Sequence, residues 1–227
     1  MRLQLHLSPN TEPVPFNHLH CLTGTLHKWL GKNNVHDGLS LYSFGWLRGA
    51  KRTSEHLHFP TGSLWNISFY DAELPGNDVS KKLIQGILKQ PEVFAGMQVT
   101  QVQEQATPEF GNFYRFRTDH SAILARKSRP DGSRAYLLWD NPQSDDVLTH
   151  LLRRKLAAAG YGAEHQDVQV RFDRSYQKAR TRKVTIKGIH HKGSECLVWV
   201  AGTPEAVQFA WLVGLGDLTG SGFGGLV

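Results

Sequence analysis

Histidines between residues 18 and 58 are the side chains of this sequence best suited to proton transfer. The six of them are His18, His20, His27, His36, His56 and His58. Because an imidazole titrates near neutrality, two of them across a scissile phosphodiester can act as base and acid, one deprotonating a ribose 2′-OH and the other protonating the departing 5′-oxygen. His20 and His27 share a face of a predicted helix, and His36 follows in the loop NNVHDG. A structural role is the alternative for each.

Two His-x-His pairs, His18 with His20 and His56 with His58, raise the question of a metal site. Zinc needs further ligands, and none occurs at a recognisable spacing from either pair. The sequence therefore predicts no metal and no cofactor. A small metal-dependent enzyme built on these pairs is a weaker alternative.

A basic stretch between residues 171 and 192 is suited to holding the phosphates of a nucleic acid. Its cations are Arg171, Arg174, Lys178, Arg180, Arg182, Lys183, Lys187 and Lys192. Basic side chains neutralise phosphates, and Tyr176 within the stretch could stack on a base. The alternative is a solvated surface, but Asp173 is the only acid among these eight cations, which favours RNA as the partner.

The C-terminal stretch GLGDLTGSGFGG is the strongest local signal in the sequence. Glycine lets backbone N–H groups turn towards an anion and approach it closely. The glycines that we predict to bind RNA are Gly214, Gly216, Gly220 and Gly222. The stretch follows a predicted helix and contains no lysine, so it fits neither a dinucleotide-binding fingerprint nor a P-loop. A flexible tail is the alternative, although Leu215, Leu218 and Phe223 favour an ordered loop.

The elements that must position these groups follow from the spacing of apolar residues. In the first half, the sequence predicts a strand over the first seven residues, a helix over 17–30, strands over 39–47 and 63–70, a helix over 78–90 and a strand over 98–105. Asn17 is the expected N-cap of the first helix, and Gly31 is expected just past its end.

The second half shows a similar order of elements. Strands are predicted over residues 113–117, 122–127 and 135–139, a helix over 144–159, strands over 168–172, 183–189 and 195–201, a helix from Thr203 and Pro204 to 213, and a strand over 223–227. The strands at 183–189 and 195–201 are expected to form a hairpin around HHKG. Two β-α-β-β-α-β units predict an α+β fold of two tandem ferredoxin-like (RRM-like) domains, residues 1–111 and 112–227, with a C-terminal glycine-rich loop.

Charge is divided unequally between the two halves. Residues 1–113 contain nine Lys+Arg and nine Asp+Glu, whereas residues 114–227 contain 17 and 11, so the second half carries the whole net charge of +6. The N-terminus lacks an apolar signal-peptide core, and no apolar run is long enough to span a membrane. Cys21 and Cys196 are too few for a disulfide framework. We therefore expect a cytoplasmic protein that has a polyanionic partner and no membrane partner.

Three stretches resemble the CRISPR-associated repeat-processing endoribonucleases of the RAMP superfamily, the "Cas six" family. They are Pro15-Phe16-Asn17-His18 before the first helix, Val35-His36-Asp37-Gly38 before Leu41-Tyr42-Ser43-Phe44, and the terminal GLGDLTGSGFGG. The last is similar to the glycine-rich loop between the final helix and the final strand of that family. The resemblance covers nearly the whole chain in element order, because the family resembles two tandem ferredoxin-like domains.

The resemblance implies metal-independent cleavage of a CRISPR precursor RNA within its repeat by 2′-OH attack, leaving a 2′,3′-cyclic phosphate and a 5′-hydroxyl. His36 matches the family's loop histidine, and His27 stands where many members have a tyrosine. Some members place a lysine shortly after the loop histidine to stabilise the phosphorane, but this sequence has Ser40 there. Lys51 or Arg52 could supply the missing charge, and both are predicted to bind RNA.

The sequence thus predicts a cytoplasmic endoribonuclease that binds CRISPR repeat RNA and cuts it with His27 and His36. The main rival is a non-catalytic RNA-binding RAMP subunit of a CRISPR effector complex, in which the histidines are structural. A homodimer or a CRISPR effector complex is the further partner that we consider.

Overall fold

Two open β-sheets with helices packed on them organise the chain. The computed structural model describes residues 1–31, 39–71 and 79–227. The helices are α1 (Leu19–Leu30), α2 (Val79–Lys89), α3 (Gln143–Ala158) and α4 (Pro204–Val213). The strands are β1 (Arg2–Leu7), β2 (Tyr42–Phe44), β3 (Lys51–Arg52), β4 (Leu57–His58), β5 (Ser63–Phe69), β6 (Val99–Glu104), β7 (Phe113–Phe116), β8 (Ala125–Ser128), β9 (Arg134–Leu137), β10 (Gln169–Phe172), β11 (Arg180–Ile186), β12 (Ile189–Glu195) and β13 (Val198–Ala201).

The first sheet has the antiparallel strand order β2-β5-β1-β6. Leu3, Leu5 and Leu7 alternate along β1 and are buried in one core with the apolar faces of α1 and α2. This strand order, with two helices on one face, is the ferredoxin-like unit that the first half of the sequence predicts.

The second sheet has the order β10-β13-β7, and the C-terminus extends it. Thr118 pairs with Leu226, and the N–H groups of Arg117 and Val227 each donate to the other's carbonyl oxygen, at 2.9 and 2.8 Å. The pairing completes the ferredoxin-like order, which confirms the tandem architecture. The last predicted strand is shorter than expected, because Phe223 lies in the first core and only the final residues pair.

Within the described ranges, three hairpins are added to this framework: β3–β4, β8–β9 and β11–β12. The predicted hairpin around HHKG is wrong. Its turn is instead Lys187-Gly188, where φ is 46° and 80°, and β13 pairs with β10 and β7. Two consecutive positive φ values give the backbone twist that a two-residue hairpin turn requires.

The two halves interlock through their cores. Ala122, Leu124 and Phe223 from the second half are buried in the core of the first. The domain boundary between residues 111 and 112 stays a prediction. Among the described residues, no helix is both long enough and apolar enough to cross a membrane.

Candidate functional site

Helix α1 carries the predicted catalytic residue His27 in its last turn. Leu22, Leu26 and Leu30 are buried at helical spacing and fix the helix against the first sheet, and His27 is half-buried. The Gly31 N–H donates to the His27 carbonyl oxygen at 3.1 Å and ends the helix as expected, whereas His18, not Asn17, is the N-cap residue. His36 lies outside the described residues. The pairing of the two histidines across a phosphodiester therefore stays a prediction.

The glycine-rich segment, residues 214–225, is packed against the first sheet. All four glycines predicted to bind RNA are buried: Gly214, Gly216, Gly220 and Gly222. A Cβ on Gly220 would lie 2.6 Å from the Tyr42 hydroxyl, and one on Gly222 would lie 2.8 Å from the Phe44 ring. Close packing thus explains why these positions are glycine, and their contact with RNA stays a prediction.

Tyr42 joins the glycine-rich segment to the strand that follows the predicted catalytic loop. Its hydroxyl donates to the Gly220 carbonyl oxygen at 3.4 Å. Burial raises the pKa of Tyr42 to about 12, so the phenol remains a hydrogen-bond donor further into the alkaline range than an ordinary tyrosine. Ser40, which replaces the lysine of some relatives, lies beside the same glycine, and Leu19 of α1 lies beside Gly222. The segment therefore contacts both α1 and β2.

Lys155 of α3 anchors the glycine-rich segment from inside the protein. It is only 3% exposed, and its Nζ donates to the carbonyl oxygens of Val213 and Gly214 and to the Thr219 hydroxyl, at 3.1, 3.3 and 3.0 Å. Burial lowers its pKa to about 7, which the nearby Asp217 carboxylate opposes. No motif in the sequence indicates this role, although Lys155 falls on the apolar stripe of its helix.

Three of the eight cations in the basic stretch are held in ion pairs within the protein. Arg174 lies 2.7 Å from Asp145 at the start of α3, and Arg180 and Arg182 lie 2.6 and 2.5 Å from Glu195 of β12. The sequence showed one acid among these cations, but folding brings two more into contact with them. The positive charge of this surface is therefore smaller than the sequence suggests.

The other five cations of the stretch are exposed. They are Arg171, Lys178, Lys183, Lys187 and Lys192. The last three lie on the β11–β12 hairpin, where Lys183 pairs across the strands with Lys192 and Lys187 forms the turn. Tyr176, the predicted base-stacking residue, is half-buried and packs against the second core. RNA binding by the exposed cations stays a prediction that this placement allows.

The β3–β4 hairpin places the two other predicted RNA-binding residues next to the start of α1. Lys51 and Arg52 are exposed, and the Arg52 guanidinium lies 4.9 Å from the centre of the Phe16 ring. On the paired strand, His58 Nε2 lies 2.8 Å from His56 Nε2. Within the described residues, no three His, Cys, Asp or Glu side chains converge to hold a metal ion.

Asp119 joins the two halves through a buried network that no pattern in the sequence indicates. Its carboxylate accepts hydrogen bonds from Asn66 at 2.8 Å, from Arg48 at 2.5 Å and from Arg2 at 3.4 Å. Burial lowers the pKa of Arg2 to about 10, which leaves it charged at neutral pH. Arg2 and Arg48, together with Arg117, line a cleft between the halves.

Solved structures with this architecture cover the whole chain. A structure of a Cas6-related protein from Pyrococcus furiosus superposes with a TM-score of 0.82 at 19% identity, covering 100% of this chain and 97% of its own. One described as "CRISPR associated protein Cas6" gives 0.78 at 21% identity, with 100% and 98% covered. "An RAMP protein binding different RNA substrates" gives 0.81 at 19%, also with 100% and 98% covered. At these identities the likeness concerns the fold alone, two tandem ferredoxin-like domains.

The family follows from the second half of the sequence. The family model for the C-terminal part of CRISPR-associated protein Cas6 matches residues 105–227, which is more than half of the chain. The chain belongs to the CRISPR-associated Cas6 family. No curated protein sequence matches it.

Proposed function

We propose that this protein is a metal-independent endoribonuclease that cleaves CRISPR precursor RNA within its repeat. The ribose 2′-oxygen attacks the adjacent phosphorus, the bond from phosphorus to the 5′-oxygen breaks, and the products carry a 2′,3′-cyclic phosphate and a 5′-hydroxyl. One imidazole accepts the 2′-OH proton, and the other donates a proton to the departing 5′-oxygen. Each proton is accounted for, so no metal or cofactor is needed for the step.

The observation that carries the proposal is the Cas6 family match over residues 105–227. The packing of the glycine-rich segment supports it, because that segment contacts α1, which carries His27, and Ser40, which stands shortly after His36 in the sequence. The exposed cations of residues 171–192, together with Lys51 and Arg52, would hold the RNA. His27 and His36 are the acid and base of the proposal.

Cleavage of the CRISPR repeat encoded nearest to the gene tests the proposal. In EDTA, the protein should cut the repeat at one position, and the downstream product should accept a 5′-phosphate from polynucleotide kinase without prior dephosphorylation. General acid–base groups contribute about 10²–10⁴-fold each, so a His27→Ala/His36→Ala variant should be at least about 100-fold slower.

Exposed His150 on α3 provides a matched histidine control. His150→Ala should cleave at the parental rate. Cleavage by the double variant as fast as by the parent would refute the assignment of the histidines. A parent that shifts the repeat in a gel but yields no product would refute the enzymatic function, and activity that disappears on chelation would refute metal independence.

A further inference from the structure

An aromatic stack lies on the face of the second sheet that the helices leave open. The rings of Phe113 on β7 and Trp199 on β13 are 4.4 Å apart and within 9° of parallel. The Arg115 guanidinium lies 5.1 Å from the centre of the Trp199 ring. Phe113 is 59% exposed, so one face of its ring rests on Trp199 while much of its surface meets solvent. The stack therefore ends in an aromatic surface that is open to a ligand.

Strand alternation explains why these side chains share a face. On β7, Phe116 is buried in the core, whereas Phe113 and Arg115 are exposed. Trp199 pairs directly with Arg115 on one side and with Arg171 of β10 on the other. One row across the sheet is therefore Arg171, Trp199 and Arg115, and Phe113 lies beside this row.

The same face is basic. Arg171 and Arg117 are exposed, and Arg115 is about half-exposed although it lies 3.5 Å from Asp173. Arg117 follows Arg115 by two residues and also lines the cleft between the halves. A polyanion lying on Phe113 would therefore meet further positive charge along β7 and towards the cleft. An exposed aromatic ring flanked by guanidinium groups has the chemistry that single-stranded nucleic acid requires, a stacking surface with cations for the phosphates.

We propose that this open face binds an unpaired RNA segment, with a base stacked on Phe113 and flanking phosphates held by Arg171 and Arg117. Trp199 is a positioning residue that holds the Phe113 ring from behind. Stacking is tolerant of sequence, because every base has a π-face. The choice of RNA rests on the proposed function, but binding here involves neither of the predicted catalytic histidines.

Fluorescence anisotropy with a 5′-fluorescein RNA octaadenylate tests the site without a cleavable repeat. Phe113→Leu keeps an apolar side chain and removes the π-surface. The Kd of this variant for octaadenylate should therefore be about tenfold higher than that of the parent. Phe113→Tyr keeps the ring and should bind within about twofold of the parent. Trp199→Leu should weaken binding of the octaadenylate, whereas Trp199→Phe should retain most of it. If Trp199 acted only as an apolar side chain, the two variants would bind equally well. An octamer of abasic ribose phosphates should bind the parent and Phe113→Leu equally.

Two further variants test whether the charge of Arg171 contributes to binding and whether the effect is specific to the open face. Arg171→Gln should reduce the slope of log Kd against log salt by about 1, whereas Phe113→Leu should leave that slope unchanged. Leu88→Ala removes a 77% exposed apolar side chain from α2 and should not change binding. Thermal unfolding of each variant verifies that it is folded.

The results separate this inference from the proposed function. If folded Phe113→Leu binds octaadenylate as tightly as the parent, the inference is refuted, even if the parent cleaves the repeat. The same holds if the substitution changes only the oligomeric state, because the ring would then belong to a protein interface. A further outcome is that the parent cleaves no repeat while the Phe113→Leu variant binds octaadenylate more weakly than the parent does. In that case the inference stands and the proposed function fails.

Discussion

Asp119 accepts hydrogen bonds from Arg2, Arg48 and Asn66, three side chains that all come from the other half of the chain. Its carboxylate is almost completely buried, and so is the Arg2 guanidinium. Asp119→Asn removes the charge that compensates Arg2, so we expect a loss of about 3 kcal/mol or more in the free energy of unfolding. Urea denaturation of the parent and the variant at neutral pH measures this loss in the free energy of unfolding.

Asp167 offers a matched control for this substitution. Its carboxylate is 92% exposed and lies 4.0 Å from Arg153, so Asp167→Asn should cost less than about 1 kcal/mol. Equal effects of the two substitutions would contradict the claim that burial makes the Asp119 pair important.

Lys155 should make the stability of the protein depend on pH. Its pKa is about 7 in the folded chain, below the ordinary value of 10.5, because the side chain is buried. Between those pH values the unfolded chain binds this proton more tightly, so the free energy of unfolding should rise with pH in that window. The free energy of unfolding of the parent should rise with pH more steeply than that of Lys155→Met, by at most about 1.4 kcal/mol per pH unit. Urea denaturation of both proteins from pH 7 to about 10 measures the difference, and parallel curves would contradict it.

These two residues show what the sequence can and cannot reveal about the site. Lys155 lies on the apolar stripe of α3, so a buried lysine could have been predicted from spacing. Asp119 has no such pattern, because its partners are 53 to 117 residues away and meet it only after the halves dock. For Phe113 and Trp199 the sequence likewise predicts only strands, since their stacking depends on the register of β7 against β13.

At the level of elements, the glycine-rich segment depends on a backbone conformation that residues other than glycine rarely adopt. Gly216 has a φ of 80°, and a Cβ there would lie 2.3 Å from the Leu124 carbonyl oxygen. Gly216→Ala should therefore cost about 2 kcal/mol or more in the free energy of unfolding. Gly160 has a similar φ of 83° with no atom within 4 Å of the added Cβ, so Gly160→Ala should cost only about 1 kcal/mol. Thermal unfolding measures the stability of both variants. An equal loss of stability would exclude the contact with Leu124 as the cause of the effect at Gly216.

Local chemistry determined some elements, and long-range pairing determined others. Thr203 and Pro204 predicted the start of α4, and the Thr203 hydroxyl accepts from the Ala206 N–H as an N-cap should. The sequence predicts a hairpin between residues 183–189 and 195–201, but β11 pairs with β12 instead. The actual turn, Lys187-Gly188, is not a strong turn signal on its own. Its position follows from seven cross-strand pairs between Arg180 and Glu195, which no local pattern encodes.

At the level of the whole molecule, folding redistributes the charge that the sequence shows. The second half carries the net charge of +6, but Arg174, Arg180 and Arg182 are paired with Asp145 and Glu195. The exposed lysines of the β11–β12 hairpin carry most of the remaining charge of this stretch. Counterions released on RNA binding should therefore come from the phosphates that these lysines contact.

Lys187→Gln and Arg180→Gln each remove one positive charge from the same hairpin, so net charge cannot distinguish them. Lys187 is exposed in the turn, whereas Arg180 lies 2.6 Å from Glu195. Lys187→Gln should reduce the slope of log Kd for repeat RNA against log salt by about 1, whereas Arg180→Gln should change it by much less. Anisotropy titrations between about 50 and 200 mM KCl measure both slopes. Equal slopes for the two variants would mean that RNA affinity depends on the total charge of this half. A larger effect of Arg180→Gln would mean that Arg180 leaves Glu195 to bind phosphate.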